Sequence, residues 1–81
     1  MTLSEKAELA LIEIQGTIPE CLSVKFAGKW RQKDIFVDST EYPEGTVFIG
    51  PTGIASVSDN GKAETITMDD ITARDFPDIL E

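Results

Sequence analysis

Leu3, Ala7, Ala10, Leu11 and Ile14 recur at the spacing of one helical face, and Thr2 followed three residues later by Glu5 forms a capping box ahead of them. The pattern predicts an amphipathic helix over residues 3–15. Glu5, Lys6, Glu8 and Glu13 make its polar side, Gly16 is placed to cap its end, and Pro19 bars its resumption. Leu9 and Ile12 widen the apolar arc, so the helix either packs deep against its neighbour or keeps apolar surface for a partner.

From Leu22 the period falls to two: Leu22, Val24 and Phe26 alternate with Ser23 and Lys25, and Ile35-Phe36-Val37 follows after a polar interval. These runs predict strands at 22–28 and 33–38, joined by a hairpin loop over 28–34 that Trp30 can extend from either side. Pro43 and Gly45 punctuate a turn-rich link. Beyond it, Val47-Phe48-Ile49, Ile54-Ala55-Ser56-Val57 and Ala63-Glu64-Thr65-Ile66-Thr67-Met68 predict strands at 46–50, 53–58 and 62–68.

Asn60-Gly61 favours a type I′ turn, which sets Val57 opposite Glu64 and Ala55 opposite Ile66. In that register Ala55, Val57, Ile66 and Met68 face the core, while Ser56, Ser58, Ala63, Thr65 and Thr67 face water. A slip of one residue would turn the polar set inward. After Met68, Asp69 or Asp70 caps a short helical turn within residues 69–80, ended by Phe76-Pro77; Phe76, Ile79 and Leu80 dock the terminus on the core.

The elements describe one α+β domain over residues 1–81: an N-terminal helix on a five-stranded antiparallel sheet, able to curl into a small SH3-like or OB-like barrel, with a short C-terminal helical turn. Length agrees, since 81 residues support one small core. Composition does not point to disorder, with 41% hydrophobic and 27% charged residues.

Charge changes the picture more. A net charge of -8 disfavours nucleic acid and anionic membranes as partners and favours a protein with a basic surface. No apolar run approaches the length of a membrane span. The single cysteine, Cys21, excludes an internal disulfide and makes the cytoplasm the expected compartment, the host's if the chain is virus-encoded. Histidine is absent, which removes the commonest general base and the commonest zinc ligand, so no enzymatic activity is expected.

Against that acidic background, Lys25, Lys29, Arg31 and Lys33 gather four of the seven basic residues within nine positions, interleaved with Phe26 and Trp30. Lys29, Trp30, Arg31 and Lys33 combine cations with an aromatic as single-strand-binding sheets do, or else form a solvated hairpin whose cations balance nearby carboxylates. The acidic stretch with Asp69, Asp70, Asp75 and Asp78 is the opposite candidate, a surface for docking on a basic groove or mimicking nucleic-acid charge. It lacks the alternating oxygens and central Gly of a calcium loop, and Gly50-Pro51-Thr52-Gly53 lacks the Lys-Ser/Thr of a phosphate loop, so neither a metal nor a cofactor is expected. Cys21 has no cation beside it in sequence and reads as a small buried hydrophobe.

The resulting expectation is a non-enzymatic, acidic protein-binding factor: an adaptor, inhibitor or accessory protein, of viral or mobile-element type in its charge-mimicking form. A small structural subunit of a larger assembly such as a virion, and single-strand binding through residues 25–33, are the alternatives. Residues 46–68 would act as a scaffold holding the basic loop and the acidic tail apart.

Overall fold

The computed structural model describes residues 1–45 and 53–77. In chain order the elements are helix α1 (Leu3–Gln15), strands β1 (Val24–Trp30), β2 (Lys33–Asp38), β3 (Ile54–Ser58) and β4 (Ala63–Thr65), and the single-turn helix α2 (Met68–Ile71). The capping box forms as the sequence predicts: Thr2 Oγ1 accepts from the Glu5 N–H at 3.1 Å, and the Glu5 carboxylate accepts from the Thr2 N–H at 3.0 Å.

Among the described residues the sheet has four strands in the order β1-β2-β3-β4, every neighbour antiparallel. Among the described residues it is open, with β1 and β4 as its two edges, so a five-stranded sheet closed into a barrel is not what these residues form. The strand predicted at 46–50 lies outside the described residues.

The physical reason the sheet stays open is that both of its faces are covered. On one face α1 lays Ala10 and Ile14 over Phe36, Ala55 and Val57, with Ile18 and Cys21 completing this core. On the other, Ile71, Ala73 and Phe76 pack over Trp30, Ile35, Ile54 and Ile66. Strand alternation places Phe36 and Ile35 on opposite faces, each buried. Ser56, expected to face water, is buried for the same reason.

Both hairpins differ from expectation at their turns. The β1–β2 loop is two residues rather than the four left between the predicted strands: Trp30 pairs with Lys33, and Arg31 and Gln32 make the turn with φ of 51° and 65°. Positive φ at both central positions is the type I′ geometry that matches strand twist, here built without glycine. The tight turn carries β1 two residues further than predicted, to Trp30.

The β3–β4 turn instead uses three residues, Asp59-Asn60-Gly61. Gly61 N donates to Ser58 O and Ser58 N to Lys62 O, both at 3.0 Å, and of Asn60 and Gly61 only Gly61, at φ +86°, is left-handed. A type I turn closed by a left-handed glycine replaces the predicted type I′ turn. The register therefore shifts by one: Ala55 faces Thr65, Ser56 faces Glu64 and Val57 faces Ala63. Ala63 and Thr65 turn toward α1, Ile66 enters the second core, and Met68, expected inside, is 62% exposed at the start of α2.

Thr67, rather than Asp69 or Asp70, caps α2, and Asp70 closes the box from the N3 position. On α1, Leu9 packs against the core while Ile12 is 65% exposed. The edge strand β1 carries a bulge at Ala27, where pairing slips between Phe26 and Gly28.

Phe36 stacks edge-on with Phe26 at 5.8 Å and anchors the helix-side core. Phe36→Ala is expected to lower unfolding stability by about 3–5 kcal/mol, and Phe26→Ala, which empties a half-exposed site, by clearly less; urea denaturation of the two variants checks the order.

Candidate functional site

Pairing of Lys33 with both Trp30 and Ser58 sets the two hairpin turns side by side at one end of the sheet, next to the first turn of α1. A groove of about 590 Å³ between them is lined by Lys29, Trp30, Arg31, Gln32 and Asp59. A second hollow of about 350 Å³ shares Arg31, Gln32 and Asp59 and extends to Lys33, Ser58 and Asn60. Most of the charge chemistry of the described chain converges here.

Lys6 lies beneath the groove. Its Nζ is 2.7 Å from Asp34 Oδ2 and 2.7 Å from Asp59 Oδ1, with side chains of Lys6 and Asp34 only 8% and 4% exposed. The hydrogen bond to Asp34, then that to Asp59, raises the lysine pKa, and Lys6 in turn holds the Asp59 carboxyl below its usual range. Asp34 Oδ1 is buried and accepts no hydrogen bond; Lys29 Nζ faces it at 3.6 Å. Lys6 thus departs from the polar side of α1 to which the sequence pattern assigns it. The missed signal is its spacing, three after Leu3 and four before Ala10, which puts it on the packing arc. Asp34 carries the matching signal, two residues before Phe36 and so on the same strand face.

The basic loop and the acidic tail, expected to be held apart, meet. Arg31 forks onto Asp75 with Nε 2.9 Å and Nη2 3.3 Å from the two carboxylate oxygens. Its guanidinium lies 4.4 Å from the Trp30 ring centroid, and Phe76 meets that ring edge-on at 5.0 Å. Arg31 foremost, then the Trp30 indole, holds the Asp75 carboxyl below its usual range. The indole N–H is buried and makes no hydrogen bond. Lys33 bonds Glu64 at 3.0 Å, with Lys62 on the other oxygen at 3.4 Å, and Glu64 is acidified by Lys33 first and Lys62 second.

Of the sequence candidates, Lys29, Trp30, Arg31, Lys33 and Asp75 therefore gather in one place. Asp70 is occupied in the α2 cap, where the Thr67 N–H lowers its pKa most, and Asp69 is exposed on α2. Asp78 lies outside the described residues. Trp30 is buried rather than presented for stacking.

At the far end of the sheet, Asp38 accepts hydrogen bonds from Tyr42 O–H and, at 2.9 Å, from Thr40 N–H. Burial pushes the Asp38 carboxyl upward, but those bonds together outweigh it and hold the group low. Tyr42 is pushed up to about 12 by burial and by its bond to Asp38. Thr40 Oγ1 approaches Cys21 Sγ at 3.8 Å, and burial raises the thiol pKa. A raised, buried thiol is a poor nucleophile.

Among the described residues no group of three Cys, Asp or Glu side chains is placed to hold a metal ion, and no helix is long and apolar enough to cross a membrane. Comparison with protein-family models, with curated proteins and with solved structures finds no match to the chain.

Removing one member of a buried ion pair strands the other. Lys6→Met and Asp34→Leu are each expected to destabilise the fold, and the double variant to recover much of the loss; a double-mutant cycle by urea denaturation measures the coupling, and additive losses would contradict it. Tyr42, the single tyrosine, is expected to ionise near 12 in the folded chain and near 10 when unfolded. Between those values the fold loses stability, because the unfolded chain sheds the phenolic proton first. Ultraviolet absorbance titration of the native chain and of Asp38→Asn, whose midpoint should fall, checks this.

Proposed function

We propose that this chain is a non-enzymatic, acidic protein-binding factor that engages a larger protein through carboxylates facing a basic surface. The observation that carries the reading is how the cations are used. Among the described residues Lys6, Lys29, Arg31, Lys33 and Lys62 all stand in ion pairs, and they engage only Asp34, Asp59, Glu64 and Asp75. Five of the seven basic side chains thus serve internal pairs, while Glu8, Glu20, Glu41, Glu44 and Asp69 remain exposed. A surface of this kind attracts cationic partners at long range and repels phosphate backbones. The same pairing argues against single-strand binding through residues 25–33, since three of its cations have carboxylate partners and Trp30 is buried.

Adaptor, inhibitor and accessory roles share this physics. The charge-mimicking form, a virus- or mobile-element-encoded inhibitor presenting carboxylates where phosphates bind, is its narrowest version.

The immobilised chain is expected to retain a basic protein at low salt and release it as salt shortens the screening length from about 30 Å at 0.01 M to about 3 Å at 1 M. The combined Glu41→Gln, Glu44→Gln and Asp69→Asn variant should retain less of the same protein at every salt concentration. Retention indifferent to salt, or binding of a single-stranded oligonucleotide at low salt, would overturn the reading.

A further inference from the structure

Among the described residues, the second face of the sheet is covered by a segment attached to it through side chains alone. From Thr67 to Pro77 the backbone bonds among described residues are all local: Ile71 N to Thr67 O, Thr72 N to Met68 O, Ala73 N to Asp70 O and Phe76 N to Ala73 O. Three successive residues make the specific contacts. Asp75 fills the Arg31 fork, Phe76 meets the edge of Trp30, and Pro77 lies against Gly28, whose φ of +138° a residue with a side chain rarely adopts.

The receiving side is built by the hairpin and the sheet. Arg31 sits in a two-residue turn at φ 51°, its guanidinium laid over Trp30. Ile35, Ile54 and Ile66 form the apolar floor. Register places Lys25 and Lys33 on this same face of the sheet, Lys33 already paired there with Glu64, so Arg31 is the cation that the segment's carboxylate engages.

We propose that the β1–β2 hairpin is a docking site for a short segment carrying a carboxylate, an aromatic ring and a proline in succession. In this structure it is occupied by the chain's own Asp75-Phe76-Pro77, and the same pattern presented by another protein takes its place. The site uses a different surface from the acidic one proposed above and stands or falls separately. Exchange is favoured because the Arg31–Asp75 fork is solvent-exposed, with side chains 59% and 53% accessible, and because among the described residues the cis segment has no backbone ladder to break. The occupant is another protein rather than a second copy, since a charge of -8 on each copy sets two of them against one another.

Trp30 is the single tryptophan and lies under the exchanging segment, so its fluorescence reads the exchange directly. In the full chain carrying Phe76→Ala, emission is expected to shift to the red. A blocked synthetic peptide, Ala-Arg-Asp-Phe-Pro, should return it to the blue saturably. The peptide with Asn in place of its Asp should bind roughly two- to fivefold more weakly, the loss expected for an exposed charged fork. The native chain should respond only when the peptide exceeds the effective concentration of its tethered segment, on the order of millimolar. A second variant, Asp75→Asn, weakens the fork while leaving Phe76 in place, and should bind the original peptide more readily than the native chain does.

An unchanged Trp30 emission on adding peptide to both variants would overturn the proposal. So would loss of the strand circular dichroism in both, which would make the segment a fixed part of the core. Dimerisation of Asp75→Asn by light scattering without any peptide response would assign the site to a second copy, and would overturn it too.

Discussion

An ammonium group taken out of water needs carboxylates in place of its hydration shell, and Lys6 finds two at 2.7 Å. One comes from β2 and the other from the β3–β4 turn, so a single side chain from the first turn of α1 fixes the helix over the sheet and draws the turn toward it. Geometry must be good for such an arrangement to hold, because desolvation of the charges is costly and only close pairing offsets it. The position of that turn sets one wall of the groove at the hairpin end, and Lys29 completes the group through the remaining oxygen of Asp34. Placement of the helix and placement of the surface charges are one problem with one solution.

The two-sided sheet is the second constraint. A sheet covered by a helix on one face and by α2 and the segment after it on the other has no exposed apolar face that would require closure into a barrel. The covering segment is acidic and the hairpin beneath it basic, so their meeting at Arg31 and Asp75 offsets charge locally while leaving the rest of the surface negative. Two candidates that look separate along the sequence, the basic loop and the acidic tail, share an intramolecular contact.

Much of the fold is legible in the sequence, because helical spacing with a capping box specifies α1 and β-prone runs specify β2 and β3. The failures have particular causes. Asn60-Gly61 suits two turn types, and local residues alone do not decide between a two-residue and a three-residue loop; the choice moves every side chain of β4 to the other face. Arg31-Gln32 carries no turn signal at all, since neither residue favours positive φ, yet the turn forms there. The consecutive apolar run Ile35-Phe36-Val37 did carry the signal of burial on both faces, in contrast to the alternation around Val24. Of the site, the cations and Trp30 were visible as a cluster. Their partners were not, because Asp34, Glu64 and Asp75 are brought to them only by strand pairing and chain return.

Cys21 has a consequence of its own. It lies in the helix-side core with no accessible surface, next to Thr40. A thiol so placed meets an alkylating reagent only when the molecule opens around it, and its reactivity therefore measures the frequency of that opening rather than any chemistry of the sulfur. With a single cysteine in the chain, thiol trapping becomes a clock for the unfolding of the core beneath α1, readable in a mixture and without a partner or a ligand.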